Sequence, residues 1–467
     1  MPDVDSAPSD QSGSRSVLPG EPGLAPATDP ASALDLAPDI ASATANELGD
    51  SSNRRQTVVT RSVPFRRLAP LVGLAYLMIV AILTVVVEIA EEFPQTDQGY
   101  ALPTDTPSWL NGWCRWDSNW YYAIVNDGYY YLGPSQQSPV AFFPAYPMLV
   151  RGVRLFVGNT GLSMWLVAVA LGLATVLLFA YWVTEKLPRR AALTSIVIAM
   201  VYPYSLYISG AMYAESTFLF GAIAAFLAVD RRNYWLAGLA GIIATAARPL
   251  GMAVVVGLVI RVLEQLAEDR SGRVPTPTHQ GRSVSVVRPR FVELIREIRT
   301  APWQSYLVLL SALGIIAWCL FLWHDLGHPL AWIEVESAPG WDQGQGPRTW
   351  FKVILFEGLI AMRKGLILVL PQVIVMIMGW CFLRRVFRLF GWGYAAYVFV
   401  ALAIPTIGTR DFTGAGRYIL LAFPLFAAVG DYFSRLPKRW MLPATIVILA
   451  VGLILATAAF TMGGYIA

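Results

Sequence analysis

Apolar runs long enough to cross a hydrocarbon layer of about 30 Å recur along the chain from Leu68 to Thr461. Lipid offers the backbone no hydrogen-bonding partner, so such runs are expected as helices, which pair their own N–H and C=O groups. The expected spans are 68–90, 163–183, 191–208, 213–229, 303–323, 366–383, 389–408, 418–433 and 440–461. A further apolar stretch, Tyr234 to Leu263, is interrupted by Arg248-Pro249, with Gly251 close behind. Read as one span, it would put the arginine-rich loop 264–302 outside the cell, against the tendency of cytoplasmic loops to collect Lys and Arg. Two helices of about 14 residues, about 21 Å each, meeting at the Arg-Pro break return that loop to the cytoplasm. The expected fold class is therefore an all-α polytopic membrane protein with about 11 segments.

Composition agrees: of 467 residues, 56% are hydrophobic and 14% charged, more apolar than a soluble core requires. The formal charge of +4 gives no reason to expect a nucleic-acid partner, and the distribution of the basic residues carries more information. Loops read as cytoplasmic hold 25 of the 35 Lys and Arg, and loops read as outside hold 9, which places the N-terminus inside. Residues 1–60, rich in Ala, Ser, Asp, Pro and Gly, are expected to be a disordered cytoplasmic tail followed by one membrane domain, 61–467. That domain would carry outer loops at 91–162 and 324–365 and a basic inner loop at 264–302. No basic region leading directly into an apolar core opens the chain, so the first span is expected to do the addressing. No internal repeat is visible. The three cysteines, Cys114, Cys319 and Cys381, are read as packing residues rather than a disulfide framework.

One stretch is too polar for lipid and too aromatic for a flexible linker: Trp113 to Pro147, WCRWDSNWYYAIVNDGYYYLGPSQQSPVAFFPAYP. Its spacing predicts a helix over 118–127, stopped by Gly128, with Trp116, Trp120 and Ile124 along an aromatic face lying flat in the membrane interface. Asp117 would stand at the first turn, facing water. A carboxylate there can take a proton from an acceptor hydroxyl, or can simply cap the helix.

Other candidates follow the same two-sided reading. Glu215, in YAESTF, opens a span on the outer side, where a carboxylate is either functional or a complement to the helix dipole. Arg248 at the hairpin apex suits an anion or an ion pair with Glu215. Arg417 and Tyr418 follow the glycine-containing loop GTRDFTGAG, so Arg417 either cradles a phosphate or snorkels at the interface. Trp116, Trp120, Tyr121, Tyr122 and the tyrosines at 129–131 can stack on a sugar or an isoprenoid, or form an ordinary aromatic belt. His324 and His328 have the spacing of a two-histidine metal site but lack a clear third ligand.

Taken together, WDSNWYYAIVNDGYYY, FFPAYP, YAES, ARPLG, and GRY with FP six residues on resemble the PIG-V-like mannosyltransferases, integral membrane glycosyltransferases of the GT-C class that include the second mannosyltransferase of GPI-anchor assembly. The resemblance covers about Leu68 to Gly464. It implies inverting transfer of a sugar, expected to be mannose, from a polyprenyl or dolichyl phosphate to a hydroxyl on a glycolipid, glycan or protein, at the non-cytoplasmic face. The membrane is the plasma membrane if the cell is bacterial and the endoplasmic reticulum if it is eukaryotic. It further implies Asp117 as general base, with Trp116, Trp120, Tyr121, Tyr213, Glu215, Arg248, Arg417 and Tyr418 around the donor. No cofactor is expected, and a divalent metal is optional because a phosphate leaving group needs no protonation. Two rivals stand beside this reading. A transporter or flippase would use Glu215 and Arg248 around a broken helix, and a non-catalytic scaffold would tolerate loss of all the named charges.

Overall fold

The computed structural model describes residues 65–93, 102, 106–271, 288–341, 343, 346–360, 366–438 and 440–464. The tail 1–60, the middle of the basic loop, and Arg363 and Lys364 lie outside the described residues. Among the described residues all regular secondary structure is helical. In chain order the principal helices are α1 (Phe65–Glu91), α2 (Asp117–Asp127), α3 (Ala145–Val157), α4 (Thr160–Lys186), α5 (Arg189–Val201), α6 (Glu215–Asp230), α7 (Tyr234–Ala247) and α8 (Gly251–Arg270). They continue as α9 (Leu313–Leu326), α10 (Leu366–Phe390), α11 (Trp392–Gly408), α12 (Ala415–Leu421), α13 (Pro424–Ser434) and α14 (Met441–Thr461).

Among the described residues four helices are long and apolar enough to cross a membrane: α1, α4, α14, and the 24-residue run Trp303–Leu326, which enters as a 3₁₀ helix before continuing as α9. The bent pair Arg189–Val201 and Pro203–Ser209, folded by 67°, gives a fifth if counted as one span. The protein is thus an integral membrane protein. The expected 366–383 span lies within the single 25-residue helix α10, and most of the remaining expected segments are shorter or interrupted helices. The expected 213–229 span is α6, 16 residues long and buried on almost every side, a core helix with little lipid-facing surface. The expected 418–433 span is two helices separated at Ala422-Phe423. The hairpin does break at Arg248–Leu250, but its second arm runs 20 residues to Arg270, because Glu264, Gln265, Ala267 and Glu268 are buried there instead of lying in a loop.

Local chemistry explains these ends and breaks. Asn159 caps α4 by accepting the N–H of Leu162 at 2.9 Å, and Asn233 caps α7 by accepting that of Leu236 at 3.0 Å. Pro203, Pro249 and Pro424 each interrupt the backbone ladder, since proline brings no N–H and crowds the preceding turn. Carbonyls near such breaks must find donors inside the protein. Tyrosines supply them: Tyr76 donates to the carbonyl of Ile208 at 2.6 Å, Tyr202 to that of Gly416 at 3.0 Å, and Tyr397 to that of Leu421. Small residues allow close approach at the hairpin, where a Cβ on Gly241 would meet the Cβ of Ser311 at 2.3 Å while Thr245 donates to the Ser311 carbonyl at 2.7 Å. The three cysteines are free; Cys114 is buried as expected for packing, whereas Cys381 is exposed on α10.

Candidate functional site

The loop bearing Asp117 is fixed before its helix begins. Arg115 donates from Nε to the carbonyl of Thr461 at 2.8 Å and reaches Glu91 at 3.2 Å, and the indole of Trp116 donates to the carbonyl of Gly464 at 3.2 Å. Trp116 adopts φ 56°, a left-handed conformation that a non-glycine residue takes only when its surroundings hold it there. Tyr213 completes the anchor: its hydroxyl accepts the Asp117 N–H and donates to the Arg115 carbonyl, both at 3.1 Å.

Helix α2 starts at Asp117 itself, one residue before the expected start, with Trp116 in the cap position. The capping alternative for Asp117 therefore fails, and its carboxylate goes elsewhere: Oδ2 accepts from Nη1 of Arg417 at 2.6 Å. The helix packs one face against the rest of the protein. Ser118, Tyr121, Ile124 and Val125 are buried against the protein, and Tyr121 packs edge-on to Phe142, Tyr146 and Tyr213. Trp120 stacks on Phe142 with ring centroids 5.8 Å apart.

Four charges meet here from distant parts of the chain. Glu215, fully buried at the first turn of α6, forms an ion pair with Arg248 and lies 3.5 Å from Nε of Arg417. Arg248 is carried into the cluster by the extended backbone of the α7–α8 break, φ −157°, and stands over the ring of Tyr418. Arg417, in the first turn of α12, lies 5.6 Å and 5.5 Å from the ring centres of Tyr207 and Tyr213, a cation–π arrangement. The result is a chain of alternating charge, Asp117–Arg417–Glu215–Arg248, with no net charge. Several of its polar atoms have no partner among the described residues: Oε2 of Glu215, and the hydroxyls of Ser118 and Tyr207. Buried polar atoms are ordinarily paired, so this is a polar cluster with unused hydrogen-bonding capacity.

Asp117, Tyr213, Glu215, Arg248, Arg417 and Tyr418 lie in or beside this cluster, whereas Tyr129 packs on Trp318 and Phe321, and Tyr131 turns to Glu334 and His328. His324 instead faces its neighbour Asp325, Nδ1 to Oδ1 at 2.5 Å, and His328 stacks against Tyr131. No group of three His, Cys, Asp or Glu side chains converges among the described residues. One charged group was not anticipated. Glu336, in the 3₁₀ turn Val335–Ser337, is partly buried, with Asp117, Arg248 and Arg417 among the charges that act on it. Burial and the neighbouring Asp117 push its carboxyl up to about 7, although Arg248 and Arg417 pull the other way. The hint in the sequence was an acid inside an aromatic outer segment, AWIEVESAPGW, the same signal that marked Asp117.

No family model matches the chain, and no curated protein matches it. Solved structures do. ArnT from Cupriavidus metallidurans bound to undecaprenyl phosphate aligns with 83% of this chain and 76% of its own, at 11% identity and a TM-score of 0.43. The archaeal oligosaccharyltransferase AglB from Archaeoglobus fulgidus, in complex with an inhibitory peptide and a dolichol-phosphate, aligns with 84% of this chain at 12% identity and a TM-score of 0.38. The chain spans 56% of that archaeal protein's length.

Proposed function

We propose that this protein is a GT-C-type membrane glycosyltransferase that moves a sugar, with inversion, from a polyprenyl or dolichyl phosphate to a hydroxyl acceptor at the non-cytoplasmic face. The single observation that carries the reading is the 2.6 Å pairing of Asp117 with Arg417, itself within 3.5 Å of Glu215 and its partner Arg248. Glycosyl transfer from a lipid phosphate needs a carboxylate to accept the hydroxyl proton and cations to hold the departing phosphate, and both are adjacent here. A donor phosphate arriving at Arg417 would compete for the guanidinium that Asp117 now occupies. Its charge replaces the carboxylate as Arg417's counter-ion, and the released Asp117 turns to the acceptor as general base. Arg248 adds a second cation, and Glu215 keeps both arginines in place. Trp116, Trp120, Tyr121, Tyr213 and Tyr418 form the aromatic surround in which sugar and acceptor are oriented. The motif resemblance supports mannose as the sugar.

The test is Asp117→Asn, assayed with a radiolabelled polyprenyl-phosphate sugar after confirming normal membrane insertion. Transfer should fall by about 10³-fold or more; a wild-type rate removes the assignment. One observation favours a second reading. The interruption at Arg248 with a buried ion pair is also how transporters build midplane sites. Label that crosses sealed vesicles without changing its chemical attachment would establish transport instead.

A further inference from the structure

Helix α8 leads away from the charge cluster, and its other end carries a surface element for which sugar transfer supplies no role. From Gly251 to Glu264 the helical rise takes the chain roughly 20 Å from Arg248. There Arg288 reaches Glu264 at 3.5 Å and Glu268 at 3.8 Å and donates to the Leu389 carbonyl at 3.2 Å, while the Trp392 indole donates to the Pro289 carbonyl at 2.8 Å. These contacts bolt a short helix, Phe291–Glu297, to α8 and to the junction of α10 with α11. The end of the short helix is tied as well: buried Glu297 pairs with Arg270 at 2.9 Å, and Tyr306 donates to the Ile298 carbonyl at 3.2 Å. A helix of 7 residues does not persist in water unaided, so this framework is what keeps it formed.

The framework leaves an apolar face uncovered. Leu294 is buried, but Phe291, although 5.7 Å from the ring of Trp392, is about half exposed, as are Val292, Ile295 and Ile298. Ile298 keeps helical dihedrals, φ −55° and ψ −37°, so the four residues form one stripe about 120° wide. Arg290 stands in the cap position, Arg296 borders the stripe and Arg299 closes it; all three are exposed, and none forms an ion pair among the described residues. The acids of the segment are already committed, Glu293 to the N–H of Arg290 at 3.0 Å and Glu297 to Arg270. Shortly beyond, the run Trp303–Leu326 enters the membrane, with Trp303 exposed at its start.

We propose that Phe291–Arg299 is a docking surface for anionic phospholipid. The apolar stripe sinks into the boundary between headgroups and acyl chains, and Arg296 and Arg299 grip the phosphate of a negatively charged headgroup. Two observations select lipid over a protein partner. The stripe is continuous in sequence with a membrane-crossing run, which holds it at the level of the bilayer surface. Its uncompensated charge is all arginine, whose planar fork suits phosphate and whose sign suits an anionic leaflet.

The experiment uses the full-length protein in vesicles, with bimane attached to Ile295→Cys after Cys319→Ala and Cys381→Ala, and with Val292→Cys as a second labelling position. Quenching is compared for brominated phosphatidylcholine, brominated phosphatidylglycerol and aqueous iodide. Both lipids should quench and iodide should not, and phosphatidylglycerol should be enriched at the label about fivefold over phosphatidylcholine. Arg296→Gln with Arg299→Gln should bring that preference close to one while lipid quenching persists. Salt at about 1 M should do the same in the labelled protein with its arginines intact. Quenching by iodide rather than by lipid, at both positions, overturns the proposal and marks the stripe as open to water or to a protein partner. Equal quenching by the two lipids, or a preference that survives both salt and the double substitution, overturns the headgroup site.

Discussion

Helix α6 carries a buried carboxylate at each end, and the two are treated in opposite ways. At one end Asp230 is saturated: Lys186 binds it at 2.6 Å, Nε of Arg261 at 2.9 Å and the Tyr394 hydroxyl at 2.7 Å, while Trp182 donates to the same tyrosine at 2.8 Å. Around it Arg261 reaches Glu264 at 3.0 Å, and Glu264 accepts the N–H groups of Trp392 and Gly393. At the other end Glu215 keeps one oxygen unpaired, and Arg417 divides itself between two acids. A carboxylate with every oxygen engaged has nothing to offer a ligand and serves to fix helices against each other, even though Glu268 further along the same network keeps one oxygen unpaired. A sparse one can exchange a partner for a substrate. Glu215 is the more deeply buried of the two acids, yet it is the one left with an unpaired oxygen, so what separates scaffold from site is the count of satisfied oxygens on each carboxylate.

That contrast can be tested by substitutions that should act on stability at one end and on chemistry at the other. The largest effect expected is Asp230→Ala, which strands Lys186 and leaves Arg261 with only its glutamates, and should cost about 3–5 kcal/mol of stability, read as a lower unfolding temperature in detergent. Transfer per folded molecule should stay unchanged, and a specific loss of rate would break the comparison. Next comes Arg417→Lys, which keeps the charge but loses the planar fork; transfer should drop about 10–100-fold through weaker donor binding, with thermal stability near wild type. A stability loss as large as that of Asp230→Ala would mark the Asp117 end as scaffold too. The smallest is Tyr76→Phe, which takes the donor from the Ile208 carbonyl and should cost about 1–2 kcal/mol without touching transfer per folded molecule.

Much of the site could be read from the chain because each of its charges broke an expectation for lipid-buried sequence. Asp117, Glu215, Arg248 and Arg417 are ionisable residues at helix starts or breaks within apolar surroundings, and the structure does bring them together. Glu336 escaped because its environment is made by residues roughly 200 positions away in sequence, as with Gln137 and Pro339, which are 202 apart. Nothing within its own segment tells it apart from Glu334, which turns to Tyr131 instead. The span boundaries were misread for a related reason. Hydropathy records that 418–433 is apolar but not that Tyr397 stands ready to receive a freed carbonyl, and that long-range donor is what lets the helix stop at Ala422. Hydropathy likewise gave no sign that α2's aromatic side would pack against α3 and α4.

The anchoring of Arg115 and Trp116 also has a consequence for how the site comes into being. Their partners at Thr461 and Gly464 lie 346 and 348 residues further along, and Arg417 reaches Asp117 across 300. On a ribosome the aspartate emerges long before the groups that hold and neutralise it. A nascent chain stalled between α12 and α14 would carry Asp117, Glu215, Arg248 and Arg417 and yet lack the Thr461 and Gly464 carbonyls that fix the Asp117 loop, so synthesis of α14 is the step that locks the centre in place.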